Sequence, residues 1–249
     1  MKGFKAFFYR EWALFSHSKL DIGMSLMLPV ITLLFFSVNM AAVVGEVQGI
    51  PYVKFLLPGI ATMAIVNNAV VAASRTFNES YSSVITELMS MPASRSNYVF
   101  AKVAAATILA TVQACVFLFG GSIMFSISLN PIRILMGFIG VALTGLGVVG
   151  LFLSIALCIK DMGTYLVVSN VAGQIMIWTS TIFYPSETMP PILKWASLIN
   201  PLSHGTNVLR EAINYTPTAV FSWGYLLAFS LIFGVAALRL LAKRNETIL

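Results

Sequence analysis

The chain has 249 residues, a formal net charge of +6, 58% hydrophobic residues and 10% charged ones, and its mean hydropathy is +0.88. Soluble domains carry about 25% charged residues, so this chain has less than half the usual supply for covering a surface in water. That excludes a soluble globular domain and leaves an integral membrane protein.

Residues 2–20, KGFKAFFYREWALFSHSKL, are amphipathic at helical spacing. Phe4, Phe7, Phe8, Trp12, Leu14 and Phe15 share one broad face, while Lys5, Tyr9, Arg10, Ser16 and His17 fall elsewhere. Such a helix is expected to lie in the membrane interface with its aromatic face against acyl chains. Glu11 breaks the apolar face and calls for a partner on a neighbouring element. The first long apolar run begins only at Ile22, which is not the layout of a cleaved signal peptide.

Six windows then carry no charge at all: Ile22–Gly45, Phe55–Ser74, Val103–Ile132, Ile134–Ile159, Met162–Ser186 and Ala212–Leu238. About 20 apolar residues cross the hydrocarbon core, and continuous apolar runs select helices over barrel strands. Trimmed at turn signals such as Asn130-Pro131, the windows predict six transmembrane helices near 22–44, 55–74, 98–126, 134–158, 163–183 and 219–241. The connection over 75–96 is the most polar part of the chain. Within it Val84, Leu88 and Met91 recur at helical spacing before Pro92 stops the helix, with Glu87 and Arg95 as charges. A short helix with one apolar edge suits docking into a groove on a partner.

The fourth span contains Gly145-Leu-Gly147-Val-Val-Gly150, which fits the dinucleotide pattern G-x-G-x-x-G. That pattern needs a preceding strand and an acidic residue about 20 positions on. Here it lies inside a charge-free helix, so the glycines read as a helix-packing face. Ser169 to Gly173 in the fifth span is a second small-residue face. The segment 184–215 is too apolar for a free loop and too rich in proline to span, with Tyr184, Pro185, Met189 and Pro190 ahead of Trp195. Short re-entrant helices are expected there, because backbone at membrane depth must be buried in protein or face a cavity.

Lys and Arg set the orientation. With the N-terminus inside, eleven of them fall on the cytoplasmic side and four (Lys54, Arg133, Lys194 and Arg210) outside, so both ends are expected to be cytoplasmic. The positive charge thus marks the inner face and needs no nucleic acid. One membrane domain, 1–249, is expected, without repeats.

Several chemistries are missing. There is no G-x-x-x-x-G-K-[ST] phosphate loop, no H-E-x-x-H and no G-x-S-x-G. Cys115 and Cys158 both fall in spans, and His17 and His204 fall on opposite sides. No ionisable residue sits at mid-membrane depth, where proton-coupled pumps keep relays; Lys102, near the start of the third span, can snorkel inward, to the cytoplasmic face. The spans instead hold neutral amides, Asn39, Asn67, Asn68, Gln113, Asn170 and Gln174, which should face other helices or a cavity.

In this order the parts resemble the membrane subunit of type-2 ATP-binding-cassette (ABC) exporters, the permease family that includes daunorubicin-resistance-type drug exporters and capsule or O-antigen exporters. The resemblance rests on Arg10-Glu11, Phe55-Leu-Leu-Pro58-Gly59-Ile, Glu87-Leu-Met-Ser-Met-Pro92-Ala-Ser-Arg95, Phe183-Tyr184-Pro185 with Met189-Pro190, and Asn200-Pro201-Leu-Ser-His204 leading to Arg210. It implies an all-α permease with no catalytic residues, paired with a second permease chain and two ATPase subunits that bind ATP and Mg. By the same resemblance Glu87, Leu88, Met91, Pro92 and Arg95 form the coupling helix, and Phe8, Arg10, Glu11 and Trp12 belong to the interfacial connecting helix. Asn39, Asn67, Asn68, Asn170 and Gln174 are candidates for the pathway or interface, and Tyr184, Pro185, Met189 and Pro190 for an external cap. A bacterial or archaeal plasma membrane is the expected site. The substrate expected is a small amphipathic, drug-like or lipid-like molecule; a lipid-linked polysaccharide, an ion-coupled carrier and a non-transporting scaffold are the alternatives.

Overall fold

The computed structural model describes residues 2–17, 19–81, 95–127, 130–214 and 220–247. In chain order these form α1 (Lys2–His17), α2 (Lys19–Asn39), α3 (Ala41–Val44), a hairpin of β1 (Glu46–Val47) and β2 (Ile50–Pro51), and α4 (Tyr52–Tyr81). Then come α5 (Arg95–Met124), α6 (Pro131–Cys158), α7 (Met162–Trp178), a 3-10 turn at Ser186–Thr188, α8 (Pro191–Ile199), α9 (Pro201–Asn214) and α10 (Val220–Thr247). The fold is all-α and membrane-integral. Among the described residues five helices are long and apolar enough to cross a membrane: Gly23–Val44, Tyr52–Ser80, Ser96–Met124, Pro131–Cys158 and Val220–Lys243.

The fifth predicted span differs. It was expected over 163–183, but α7 stops at Trp178 after 17 residues, the short end of the spanning range. Side chains bond carbonyls of its last turn. Asn200 Nδ2 donates to Met176 O at 2.6 Å, Thr179 Oγ1 to Ile175 O at 2.7 Å, and Ser180 Oγ to Ile177 O at 2.6 Å. Asn200 Oδ1 also accepts from Leu202 N, so one residue caps the start of α9 as well, with Pro201 in the first-turn position that needs no N–H donor. The predicted polar connection over 75–96 is also shorter, because α4 continues to Tyr81 and α5 begins at Arg95. The hairpin was not foreseen; its two-residue turn, Gln48-Gly49, has φ of 53° and 74°, the twist that matches right-handed strands.

α4 is the axis of the molecule. It packs on α2, α5, α6, α7 and α9, and 78% of its apolar window is buried against 12% for α2. Gly59 allows the backbone after α7 to cross α4, since a Cβ there would lie 3.0 Å from Ile182 Cα. α6 and α10 form the tightest pair. The predicted glycine face lies along it: a Cβ on Gly147 would fall 2.4 Å from the Phe229 ring, and one on Gly150 would fall 2.6 Å from the Phe233 carbonyl.

These approaches make Gly150→Ala an overpacking change against backbone, so its thermal unfolding midpoint should fall by the equivalent of about 1–3 kcal/mol. Gly120 on α5 has nothing within 4 Å of its missing Cβ, and Gly120→Ala should leave the midpoint unchanged or raise it. Equal midpoints for the two variants would contradict this packing.

Candidate functional site

Two constellations stand out, a neutral groove along α4 and a buried ion cluster at one end of it. The groove lies between α2, α4 and α7 and has a volume of about 200 Å³. Ser25 and Leu28 line it from α2, Asn67 and Val70 from α4, and Ser169, Asn170 and Gln174 from α7. α7 comes close at Gly173, where a Cβ would sit 3.3 Å from Val66. Tyr165 fixes its height, with the hydroxyl donating to Val70 O at 3.1 Å and the ring stacked on Phe77.

The structure sorts the five predicted pathway residues. Asn67, Asn170 and Gln174 meet in this groove. Asn68 does not: it is buried on another side of α4, donating to Gln113 Oε1 at 2.8 Å, while Gln113 donates to Ser25 Oγ at 3.0 Å. Asn39 lies outside the groove, its amide bonded to Phe35 O on its own helix.

The ion cluster joins three helices. Arg10 Nη1 pairs with Glu11 Oε1 at 2.9 Å and its Nη2 with Glu79 Oε1 at 3.2 Å. Lys102 Nζ, on a side chain only 4% exposed, pairs with Glu79 Oε2 and with Glu11 Oε1 at 3.4 Å. Tyr98 OH donates to Glu79 Oε2 at 3.0 Å. Two cations thus face two carboxylates in surroundings that would not tolerate either sign alone. Glu79 lies two residues before the end of α4, and Tyr98 and Lys102 lie in the first turns of α5. The cluster therefore ties α1 to both flanks of residues 82–94.

Around it, α1 differs from its sequence expectation. Phe7 is buried edge-on against Tyr98, and Phe4 and Phe8 stack and pack on the Tyr98–Val99–Leu241 cluster. Part of the aromatic face is thus turned to α5 and α10 rather than to acyl chains, because the ion cluster draws Glu11 inward. Trp12 and Tyr9 remain exposed. Of the predicted coupling residues, Glu87, Leu88, Met91 and Pro92 lie outside the described residues, and Arg95 opens α5.

At the opposite end of α4, Arg210 is buried against backbone carbonyls. Its Nε donates to Phe55 O at 3.2 Å, its Nη2 to Thr181 O at 2.7 Å and Ile182 O at 3.1 Å, and the guanidinium lies 3.6 Å above the Phe55 ring. It fastens the segment after α7 to α4. Thr62 and Thr206 add a hydroxyl pair at 2.8 Å. His204 stacks on Tyr225, its Nε2 donating to Leu198 O at 2.8 Å and its Nδ1 facing Ser222 Oγ at 3.1 Å. Burial lowers its pKa, against the opposing pull of Leu198 O. The predicted cap residues flank this end: Tyr184 is exposed, and Pro185, Met189 and Pro190 border the 3-10 turn. Gln48 reaches across from the hairpin to Glu187 at 3.1 Å.

Glu79 and its pairing with Lys102 were the main omission of the sequence reading. The signal was present: no helix breaker stands between Arg75 and Tyr81, and Glu11, on an apolar face, called for a partner of opposite sign.

Residues 2–214 match the family model described as "ABC-2 type transporter". No curated protein matches the chain.

A double-mutant cycle tests the ion cluster. Lys102→Met leaves carboxylates buried with too little positive charge and should cost about 3–5 kcal/mol. Adding Glu79→Gln should restore part of that loss, with a coupling of about 0.5–3 kcal/mol in thermal unfolding of the purified chain. Strictly additive losses would show that the two side chains do not act as a pair.

Proposed function

The chain belongs to the ABC-2 type transporter family, as a membrane subunit of a transporter that works with an ATPase subunit, and from that premise we propose that it lines the export pathway of an ATP-driven transporter. ATP and Mg are held by the ATPase, two copies of which sit beneath two permease chains, the second identical to this one, in the plasma membrane. The observation that carries the reading is the groove of α2, α4 and α7, where three neutral amides converge in an otherwise apolar wall. Its outer walls, α2 and α7, also expose apolar side chains outside the groove, including Ile31 and Phe35 on one and Val167, Val171 and Ile175 on the other. A second copy covering these faces would close the groove into a pathway. The cargo is a small amphipathic molecule, drug-like or lipid-like.

The ion cluster supports the way force enters. It makes α1 and the flanks of residues 82–94 one mechanical unit, so a push on that connection reaches α4 and the groove. Residues Glu87–Arg95 are the docking helix in this scheme, α1 lies along the cytoplasmic interface, and α8 and α9 cap the outer end.

Purified from its own membranes, the chain should bring with it a subunit that hydrolyses Mg-ATP. Met91→Glu or Glu87→Arg should lower the recovered ATPase activity by about tenfold or more, as for a buried interface residue. Unchanged recovery in both variants would overturn the docking assignment. Accumulation driven by a sodium or proton gradient without ATP would overturn the export reading itself.

A further inference from the structure

Two consecutive asparagines on α4 have opposite fates. Asn68 is fully used, as one node of the Asn68–Gln113–Ser25 chain that binds α4, α5 and α2. Asn67, about 100° further round the helix, lines the groove, and its Nδ2 is buried with no hydrogen-bond partner among the described residues. Buried donors are nearly always bonded, and the exceptions call for an explanation. The other polar groups of the wall are engaged locally. Ser169 Oγ donates to Tyr165 O, Asn170 Nδ2 to Leu166 O, and Gln174 Oε1 accepts from Trp178 Nε1 at 3.2 Å. Asn170 and Gln174 are exposed, so Asn67 Nδ2 is the groove's buried donor without a partner among the described residues.

The charge of that wall is equally informative. None of its twelve described lining residues is ionisable. The ion cluster of Arg10, Glu11, Glu79 and Lys102 joins α4 to α1 and α5, outside the groove lining, and is internally neutral. An ammonium, sulfate or phosphate entering the groove would lose its hydration and find no opposite charge, a cost that one amide cannot offset. A neutral molecule leaves water easily, and an acceptor oxygen on it would satisfy Asn67. Beside Asn67 the groove is lined by Met24 and Leu28 of α2 and Val66, Val70 and Val71 of α4, which gives an apolar tail a surface to lie on.

We propose that the groove selects uncharged amphiphiles, held through a carbonyl, ether or hydroxyl oxygen by Asn67 Nδ2, and discriminates against permanently charged ones. This rests on the reading of the groove as part of the transport pathway. It assigns Asn67 a direct contact with the cargo, and Asn68 a positioning role behind it.

The test uses the full chain in lipid nanodiscs and three fluorescent amphiphiles with the same dodecyl tail: an oligoethylene glycol ether, a trimethylammonium and a sulfate. The ether probe should bind saturably and about tenfold or more tighter than either charged probe. Asn67→Leu should weaken ether binding by about tenfold, the worth of one hydrogen bond in a dry site, while Asn67→Gln, which keeps the amide, should stay within about threefold of the unmodified chain. Comparable binding of a charged probe, or ether binding untouched by Asn67→Leu while thermal stability is retained, would overturn the proposal. ATP-driven movement of the ether probe by the chain with its ATPase separates the two claims. Selective binding without movement removes the export reading but keeps the site. Movement without head-group selectivity keeps export and removes this inference.

Discussion

A charge buried in a membrane protein must be paired, and the arrangement of the whole chain along α4 follows from that constraint. At one end Lys102 is matched by Glu79 and Glu11, with Arg10 completing a neutral set of four. At the other end Arg210 is held by three carbonyls and the face of Phe55. Between these ends the groove wall contains neutral amides and apolar side chains. Each charged set fastens a different accessory element: α1 and the flanks of 82–94 at one end, the segment after α7 with α9 at the other. The ion pairs therefore act less as a source of stability than as clamps that define which elements move together.

Packing divides the rest into firm and loose parts. α6 and α10 meet through Gly147 and Gly150, where no side chain separates Phe229 and Phe233 from the α6 backbone. Such close approach leaves little room for sliding. α2 rests mainly on α4, and α7 is a 17-residue helix that reaches α4 through Gly173, Tyr165 and Ser169. The groove lies between these two lightly held helices and the axis.

Much of this was legible in the sequence because the membrane imposes simple rules. Charge-free runs located the long helices. The glycines of GLGVVG, read as a packing face rather than a nucleotide cradle, lie against α10 in the structure. The amides Asn67, Asn170 and Gln174 were marked because polar groups in lipid need a reason. What the sequence could not deliver were relations between distant elements. Nothing local shows that Glu79 meets Lys102 and Arg10, or that Asn200 bonds the last turn of α7 while starting α9, since both depend on how helices cross. Asn67 and Asn68 look equivalent in a sequence, and only packing assigns one to a structural chain and the other to the groove. The end of α7 was overshot for a related reason: residues 179–183 carry no charge to mark a stop, and the bond that Asn200 makes to Met176 O comes from a distant element.

The central claim is that cargo passes between α2 and α7, and a reversible lock across the groove tests it most directly. In a Cys115→Ala, Cys158→Ala background, Leu28→Cys and Gln174→Cys place one thiol on each side. The measurement is ATP-driven efflux from vesicles carrying the chain and its ATPase, before oxidation, after cross-linking and after reduction. The account predicts that cross-linking stops efflux and that reduction restores it. Efflux at an undiminished rate through the cross-linked protein would contradict it.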